Sequence, residues 1–302
     1  MQNQMFLKHA YYVLTITLVI FAGFADAGDL FAEKTLRIGF HGASFHEYSR
    51  EDLEVSVKIV TEEMGKAIGI ETNVVIYEDM KLMRTDFENG KVNLIFASPL
   101  LIATEINQDL LADGFIFNPS GGKPDSLVIL TKKNTGMDHF NSFRGKKLGL
   151  TESDPVSDLY VNFLSQSNFK KDYQQVFKKI SHDKKSHLVI LKLFFDQVDV
   201  VCVYENFFEV TGELNPQIFS KIQIIDRING IPPGPGFFHK KVDPVFREQV
   251  ISEVIKMNTY PRGRQFLEIF KTEQALRVTP AELDKIRQLY KEYQHLRTIN
   301  GR

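Results

Sequence analysis

The sequence predicts an α/β protein with two lobes and a ligand cleft between them. Short β-type runs alternate with helical stretches twice along the chain, an order typical of βαβ units built around a parallel sheet. The strand segments are almost continuously apolar, as in sheets that are covered on both faces. Two extended crossings join the two blocks, which favours a bilobal clamp with its site between the lobes. A single large doubly wound sheet is the alternative that this pattern leaves open.

The first alternating block forms the first lobe. In order, it contains a strand at 35–40, a helix at 50–68, a strand at 72–77, a helix at 81–88 and a strand at 92–97. A connection rich in Gly and Pro at 118–125 then leads into an apolar strand at 126–133. We expect this strand to carry the chain into the second lobe.

The second alternating block repeats the pattern. In order, it contains a strand at 146–151, a helix at 155–165, a strand near 175–180, a helix at 186–195 and a strand at 198–204, and the chain then runs through the segment 221–228. A Pro-rich segment at 231–236 returns the chain to the first lobe. We therefore assign residues 28–125 and 229–302 to lobe 1, and residues 126–228 to lobe 2.

A helical tail follows the second crossing. It contains helices at 244–257 and 262–270 and a last helix that begins near Thr279. Thr279 and Glu282 have the spacing of a capping box, and Pro280 stands at the first helical position. The sequence therefore predicts a defined start for the last helix.

The N-terminal segment indicates export. Lys8 precedes an apolar run at 11–24, and a small-x-small triplet at 25–27 follows. This order is typical of a cleavable secretory signal peptide. We expect residues 1–27 to be removed and the mature protein to begin at Gly28.

A membrane or lipid anchor is the alternative to a cleaved signal. A spanning helix needs about 20 apolar residues, and the apolar run here is shorter. A lipid anchor would need a cysteine just after the cleavage site, but the one cysteine of the chain is Cys202. We therefore expect a soluble, unlipidated periplasmic protein without internal disulfides.

Composition narrows the possible partners. The chain has 37 Lys and Arg residues against 38 Asp and Glu residues, which gives a formal net charge of −1. A nucleic-acid partner would favour a basic surface, so we expect none. About 275 residues remain after removal of the signal peptide, enough for one large or two medium domains with their own cores.

Seven segments carry a family resemblance. They are LRIGF (36–40), NGKVNL leading into FASP (89–99), SLVILTKK (126–133), FRGKKLGLTESDPVS (143–157), SHLVILKLFFDQVDVV (186–201), ELNPQI (213–218) and IPPGPGFFHKKVDPVFREQV (231–250). In these segments and their order, the chain resembles the solute-binding proteins of phosphate, phosphonate and phosphite ABC importers. This group is a branch of the type II periplasmic binding proteins.

The resemblance implies a function and a partner. It implies two lobes that close on a small oxyanionic solute, no catalytic activity, no cofactor, and an ABC permease in the inner membrane as partner. A ligand-sensing module that acts in trans on a membrane receptor or histidine kinase is the alternative. In either case we expect a monomer.

The loop at 151–158 is the strongest candidate for a ligand site. It joins a strand to a helix, with Asp154 as a plausible N-cap, so backbone N–H groups and the positive end of the helix dipole would face the cleft. A helix start of this kind binds anions. Hydroxyl groups of Thr151, Ser153 and Ser157 would add hydrogen-bond donors. Capping of the helix alone is the alternative reading of these residues.

The same loop departs from the family pattern. The resemblance implies a Ser-Thr-Ser-Gly run here, whereas the chain has Ser157 and then Asp158. A carboxylate only accepts hydrogen bonds, so a solute beside Asp158 should carry a proton or an amino group. Two positions where the family places cleft tyrosines are Met80 and Ile102.

Further candidates lie at the ends of other strands. The resemblance aligns His187 with a family histidine at a helix start, and His182 is an alternative alignment. Tyr204 and Glu205 follow an apolar strand at its carboxyl end, where open α/β sheets bind ligands, and Glu205 could pair with a ligand ammonium group.

Two serines complete the candidate site. Ser98 follows the strand at 92–97, and Ser126 lies at the first crossing. Each could donate a hydrogen bond to a bound oxyanion.

Motifs for metal binding and catalysis are absent from the sequence. His41 and His46 are five residues apart, with Glu47 adjacent, but they do not have the spacing of a zinc site. Neither a GxSxG nor a GxxxxGK motif occurs, and Cys202 lies within an apolar strand segment, the setting of an inert thiol. We expect a binding protein rather than an enzyme.

Overall fold

The strands of the protein form two separate sheets in a computed structural model, which describes residues 31, 34–45, 47–118, 126–269 and 272–301. The first sheet contains β1 (Thr35–His41), β2 (Glu71–Tyr77), β3 (Leu94–Phe96), β4 (Leu111–Asn118), β10 (Gly236–His239) and β11 (Gln274–Val278). The second contains β5 (Ser126–Lys132), β6 (Lys147–Thr151), β7 (Lys179–Asp183), β8 (Val200–Tyr204) and β9 (Ile222–Asn229). The predicted signal peptide lies outside the described residues.

Both sheets share one topology. The strand order is β2-β1-β3-β10-β4-β11 in the first sheet and β7-β6-β8-β5-β9 in the second. In each, three parallel strands stand in the order second, first, third, and the next strand is antiparallel. That antiparallel strand is the first one after a crossing. The predicted bilobal α/β fold is confirmed.

Helices cover the sheets. They are α1 (Arg50–Ile68), α2 (Met80–Glu88), α3 (Pro99–Glu105), α4 (Pro155–Phe169), α5 (Tyr173–Val176), α6 (Ser186–Phe194), α7 (Glu205–Leu214), α8 (Gln217–Lys221), α9 (Pro244–Ile255), α10 (Pro261–Ile269) and α11 (Asp284–Asn300). No helix among these described segments is long and apolar enough to cross a bilayer.

Local chemistry explains the best-defined helix. Ser49 caps α1 by accepting the N–H of Asp52 at 3.1 Å, and α1 ends at Gly69, whose φ of 70° suits a left-handed C-cap. Along α1, Leu53, Val57 and Val60 are buried at a spacing of three to four residues. This apolar face packs toward the core of the first lobe.

The structure differs from the sequence prediction in one segment and contains further strands and helices that the sequence does not predict. The strand predicted near 175–180 is the single helical turn α5 followed by β7, because the pairing with β6 places Ile180 opposite Leu148. Strands β4, β10 and β11 and helices α3, α7 and α8 are not among the predicted elements, and β11 interrupts the predicted helical tail. At Thr279, the backbone N–H donates to Glu282 Oε2 at 2.7 Å, as the capping box predicts, but a 3₁₀ turn precedes α11.

The C-terminal helix contacts elements of both lobes. Helix α11 packs against α3 of the first lobe and α4 of the second. Its residues Ile286 and Leu289 are buried, and Asn300 Nδ2 donates to Gln166 Oε1 at 2.8 Å. The limits predicted for lobe 2 bracket the five strands of the second sheet to within one residue, and as domain limits they remain a prediction.

A buried histidine lies in the first lobe. His239 of β10 is fully buried and edge-on to Phe87, with ring centroids 4.9 Å apart. Its Nδ1 accepts the N–H of Lys241 at 3.1 Å. Burial and the nearby charges of Lys241 and Lys240 lower the pKa of His239 to about 4. The folded protein therefore keeps this imidazole neutral in mildly acidic solution.

We expect His239 to make the free energy of unfolding fall as the pH falls from about 6.5 to about 4. In that window the unfolded state, with an ordinary histidine pKa, binds a proton that the folded state does not. The loss from pH 6.5 to pH 5 should be on the order of 2 kcal/mol. His239→Asn keeps an acceptor near Nδ1 without the titration. Urea unfolding at both pH values should show a smaller loss for the variant, and equal losses would contradict this assignment.

Candidate functional site

Four strands end at one cavity between the lobes. It has a volume of about 540 Å³ and is lined from both sides. The lobe 1 segments that follow β1 and β3 supply Ser44 and Ser98, and the lobe 2 segments that follow β6 and β8 supply Ser153 and Asn206. The carboxyl ends of parallel strands are the usual ligand edge of such sheets. The cavity therefore lies where the topology predicts a site.

A chain of hydrogen bonds fixes the lobe 1 side of the cavity. His41 Nδ1 lies 2.8 Å from Ser44 Oγ, which accepts the backbone N–H of Ser98 at 2.8 Å. Burial lowers the pKa of His41, although Glu78 and Asp79 raise it. Ser98 is 6% exposed, and its own hydroxyl has no hydrogen-bond partner among the described residues. Ser98 also lines the cavity, which makes this hydroxyl the candidate donor on the lobe 1 side.

The start of α4 is satisfied by its own cap. Asp154 Oδ1 accepts the N–H groups of Val156 and Ser157 at 3.1 and 3.3 Å, and Asp154 Oδ2 accepts the Ser157 hydroxyl at 2.5 Å. Just before the cap, Ser153 lines the cavity with a φ of 60°. A non-glycine residue held there costs on the order of 1 kcal/mol, a strain that often marks functional loops.

A carboxylate from lobe 1 caps a helix of lobe 2. Ser186 is the first residue of α6, and its backbone N–H donates to Glu47 Oε1 at 2.8 Å. The N-cap residue Lys185 makes no side-chain capping bond. Glu47 therefore takes the position at the positive end of α6 where a bound anion would otherwise lie. This bond joins the two lobes directly across the cleft.

The start of α7 borders the cavity differently. Its N-cap residue, Tyr204, makes no side-chain capping bond, and Tyr204, Asn206 and Phe207 all line the cavity. The first N–H groups of an α-helix have no partner within the helix. The start of α7 therefore borders the same cavity as Ser98.

Four of the nine residues predicted for the site line the cavity. They are Ser98, Ser153, His187 and Tyr204. His187 lies exposed on the first turn of α6, and Tyr204 is buried at the end of β8. His182, the alternative alignment, lies on β7 and does not line the cavity.

Three predicted residues of the 151–158 loop turn away from the cavity. Thr151 Oγ1 is buried 3.1 Å from Ser186 Oγ, and Ser157 is fully buried against Asp154. Asp158 accepts the Tyr173 hydroxyl at 3.1 Å, and burial raises the pKa of its carboxyl. None of the three faces the cavity, because each is hydrogen-bonded within lobe 2.

The other two predicted residues have partners elsewhere. Ser126 Oγ donates to Asn229 Oδ1 at 2.9 Å, a bond that joins the ends of β5 and β9. Glu205 forms a two-point ion pair with Arg227, whose Nε lies 2.9 Å from Glu205 Oε2. An ammonium group of a ligand would have to compete with this guanidinium.

Sequence reasoning missed the lobe 1 loop after β1. Ser44, Glu47 and Tyr48 all line the cavity, and Glu47 had been considered only as part of a metal site. The rule that ligands bind beyond the carboxyl ends of strands, applied to β1 as it was to β8, would have found this loop.

The described residues do not form a metal-binding cluster, and the thiol of the chain is buried. No three His, Cys, Asp or Glu side chains among these residues come together as a metal site would require. Cys202 is fully buried in β8, and burial raises the pKa of its thiol.

These features define a bilobal solute-binding protein, and the sequence comparison gives the family. Residues 43–283 match the family described as the periplasmic substrate-binding protein of phosphonate ABC transporters. The chain belongs to this family. It is therefore a periplasmic protein that captures a small solute for an ABC importer, with the membrane permease as partner. No curated protein sequence gives a significant match.

Solved structures share the fold. A binding-protein component of an ABC phosphonate transporter from Pseudomonas aeruginosa has a TM-score of 0.60 and 16% identity, with 88% of each chain covered. PhnD1 from Prochlorococcus marinus, determined with methylphosphonate, has a TM-score of 0.62 and 11% identity, with 86% of this chain and 98% of that chain covered. The aliphatic sulphonate-binding protein SsuA from Escherichia coli has a TM-score of 0.52 and 9% identity, covering 88% of this chain and 89% of that chain.

We expect Glu47→Ala to loosen the contact between the lobes. The substitution removes a charge-assisted hydrogen bond and leaves the Ser186 N–H without its acceptor, which should lower the free energy of unfolding by about 1–2 kcal/mol. Small-angle scattering should show a larger radius of gyration. Glu54→Ala is the matched control, because Glu54 is exposed on α1 and should change stability by less than about 0.5 kcal/mol. Equal effects of the two variants would remove Glu47 as a cross-lobe cap.

Proposed function

We propose that the protein captures a small oxyanionic solute, of the phosphate or phosphonate type, and presents it to an ABC permease in the inner membrane. The observation that carries this ligand class is the buried hydroxyl of Ser98, which has no partner among the described residues and lines the same cavity as the start of α7. A hydroxyl and a helix N-terminus both donate hydrogen bonds, and an oxyanion accepts them.

Charged groups around the cavity favour a solute of low negative charge. Lys185 and His187 line the cavity and can attract an anion. The carboxyl groups of Glu47 and Asp154 line the same cavity and repel an anion. A phosphonate that carries a proton or an amino group can donate to a carboxylate while its other oxygens accept from Ser98. We therefore expect a monoanion or an amino-substituted phosphonate to bind better than a dianion.

We also infer the form in which the protein acts. Residues 1–27 would be removed on export, and no lipid would be attached, because the one cysteine of the chain is buried in β8. The mature chain would act as a monomer without nucleic acid and without catalysing a reaction. The intact mass of the protein isolated from the periplasm tests the first point, since it should correspond to a chain that begins at Gly28.

A thermal-shift screen of the mature protein tests the ligand class. We expect phosphate, methylphosphonate, 2-aminoethylphosphonate or octylphosphonate to raise the melting temperature, and each phosphonate is compared with an amine or alcohol of the same carbon skeleton. A ligand at about 100 times its Kd adds about 2.7 kcal/mol, which corresponds to a rise of roughly 5 °C. If amines or alcohols stabilise the protein and no phosphorus oxyanion does, the proposed class is wrong.

We expect Ser98→Ala to weaken binding of the best oxyanion from that screen by about 10-fold or more. The variant removes a hydroxyl donor to a charged acceptor, a hydrogen bond of about 1.5–3 kcal/mol. The fold should be retained, because the Ser98 backbone N–H still donates to Ser44. Calorimetric titration measures the affinity. Ser167→Ala is the control, since its hydroxyl donates to Phe163 O on the exposed face of α4. Unchanged affinity in Ser98→Ala would exclude this hydroxyl from the site.

A further inference from the structure

The cavity extends from the polar cleft into the apolar interior of lobe 1. Residues of α1, of the first sheet, and of α10 with the turn before it line this extension. We call this part the inner chamber, and its walls include Val60, Met64, Phe96, Phe117, Met257 and Phe266. The chamber therefore lies within the core of one lobe rather than between the two.

The inner chamber lacks charge. Among the described residues that line the whole cavity, the side chains of Glu47, Asp154, Lys185 and His187 are the charged or readily titratable ones, and all four lie on the loops and helix starts at the cleft. Thr61 of α1 also lines the cavity, but its hydroxyl donates to Val57 O at 2.9 Å. Its remaining methyl group adds to the apolar wall.

Apolar side chains also border the opening on the lobe 2 side. Leu214 lines the cavity while 84% exposed, and Val210 lines it while 40% exposed. Exposed apolar groups that gather at a concave surface mark binding sites more often than scattered ones do. The apolar lining of the cavity therefore includes side chains from both lobes.

The cavity is too large for a small phosphonate alone. Methylphosphonate has five heavy atoms and would fill roughly 150 Å³, at about 30 Å³ for each water-sized group. The cavity of about 540 Å³ is in the range that accommodates drug-sized ligands. Its apolar walls offer few hydrogen bonds to water, and an empty apolar cavity lowers the stability of a folded protein. An occupant with an apolar group removes that cost.

We propose that the solute is an amphiphile, with an oxyanionic head at the cleft and an alkyl or aryl group of about six to eight carbons in the inner chamber. The assignment of the head group depends on the proposed function, with Ser98 and the start of α7 as donors. The assignment of the tail depends on the inner chamber alone. A compound of this kind places its charge where the protein has polar groups and its carbon chain where the protein has only apolar walls.

A two-way series of probes tests head and tail separately. The head is a phosphonate, an ammonium or a hydroxyl group, and the tail is an n-alkyl chain of one, four, six or eight carbons. Calorimetric titration of the mature protein at fixed pH gives the affinities. For phosphonates, we expect the affinity to rise by up to about fourfold for each methylene, equivalent to about 0.8 kcal/mol, and by at least about 100-fold from methyl to octyl.

Paired variants locate the tail. Val60→Phe adds a ring to the wall of the inner chamber, whereas Ile59→Phe makes a similar change on a neighbouring residue that is 55% exposed. We expect Val60→Phe to weaken octylphosphonate at least about 10-fold and to leave methylphosphonate unchanged, with no effect of Ile59→Phe. If Val60→Phe does not unfold cooperatively, Val60→Met provides a smaller plug, and the length series in the unmodified protein still tests the proposal.

The outcomes separate this inference from the proposed function. Equal affinities for methyl and octyl chains with every head group would contradict the proposed tail site and would not affect the proposal of an oxyanionic head group. A length dependence that Val60→Phe does not alter would also overturn it, because the tail would then lie elsewhere. If octanol and octylamine bind as tightly as octylphosphonate, the tail site in the inner chamber is supported and the proposed oxyanionic head group is contradicted.

Discussion

The parallel strands of both sheets end at the same cleft, and this shared edge decides where the functional groups of the protein lie. Each lobe orders its parallel strands as second, first and third, and each receives an antiparallel strand from the crossing. The segments that follow β1, β3, β6 and β8 must therefore meet around one cavity. Ser98 and Tyr204 are more than 100 residues apart in sequence, yet both line this cavity. No local sequence motif predicts that they lie close together.

Helix starts at this edge provide positive potential, and carboxylates of the protein itself bind at two of them. Asp154 satisfies the start of α4, and Glu47 reaches across the cleft to the start of α6. The N-cap residue of α7 makes no side-chain capping bond, and the Ser98 hydroxyl has no partner among the described residues. We propose that these groups, rather than the start of α4, provide the donors for an anionic solute. On this proposal, the serine-rich run that the resemblance implies at 151–158 is not needed.

Sequence reasoning recovered most of the fold, and four of the nine residues that it predicts for the site line the cavity. Apolar runs and capping residues such as Ser49 predict strands and helices, but a single turn such as α5 is too short for periodicity to show. The other predicted residues have partners that the sequence does not reveal: the carboxylate of Glu205 forms an ion pair with Arg227, 22 residues further along the chain. The inner chamber has no sequence signature, because Val60 and Phe117 look like ordinary core residues until the packing around them is known.

The C-terminal helix α11 has a mechanical consequence that the cavity does not reveal. None of its described residues lines the cavity. Its residue Leu289 is nevertheless buried, and the side chain of Asn300 donates to Gln166 of lobe 2. A relative movement of the two lobes would change the packing of α11 against α3 or α4. We therefore expect substitutions of α11 residues in this packing to alter the rate at which a solute leaves the cleft, although these residues do not line the cavity.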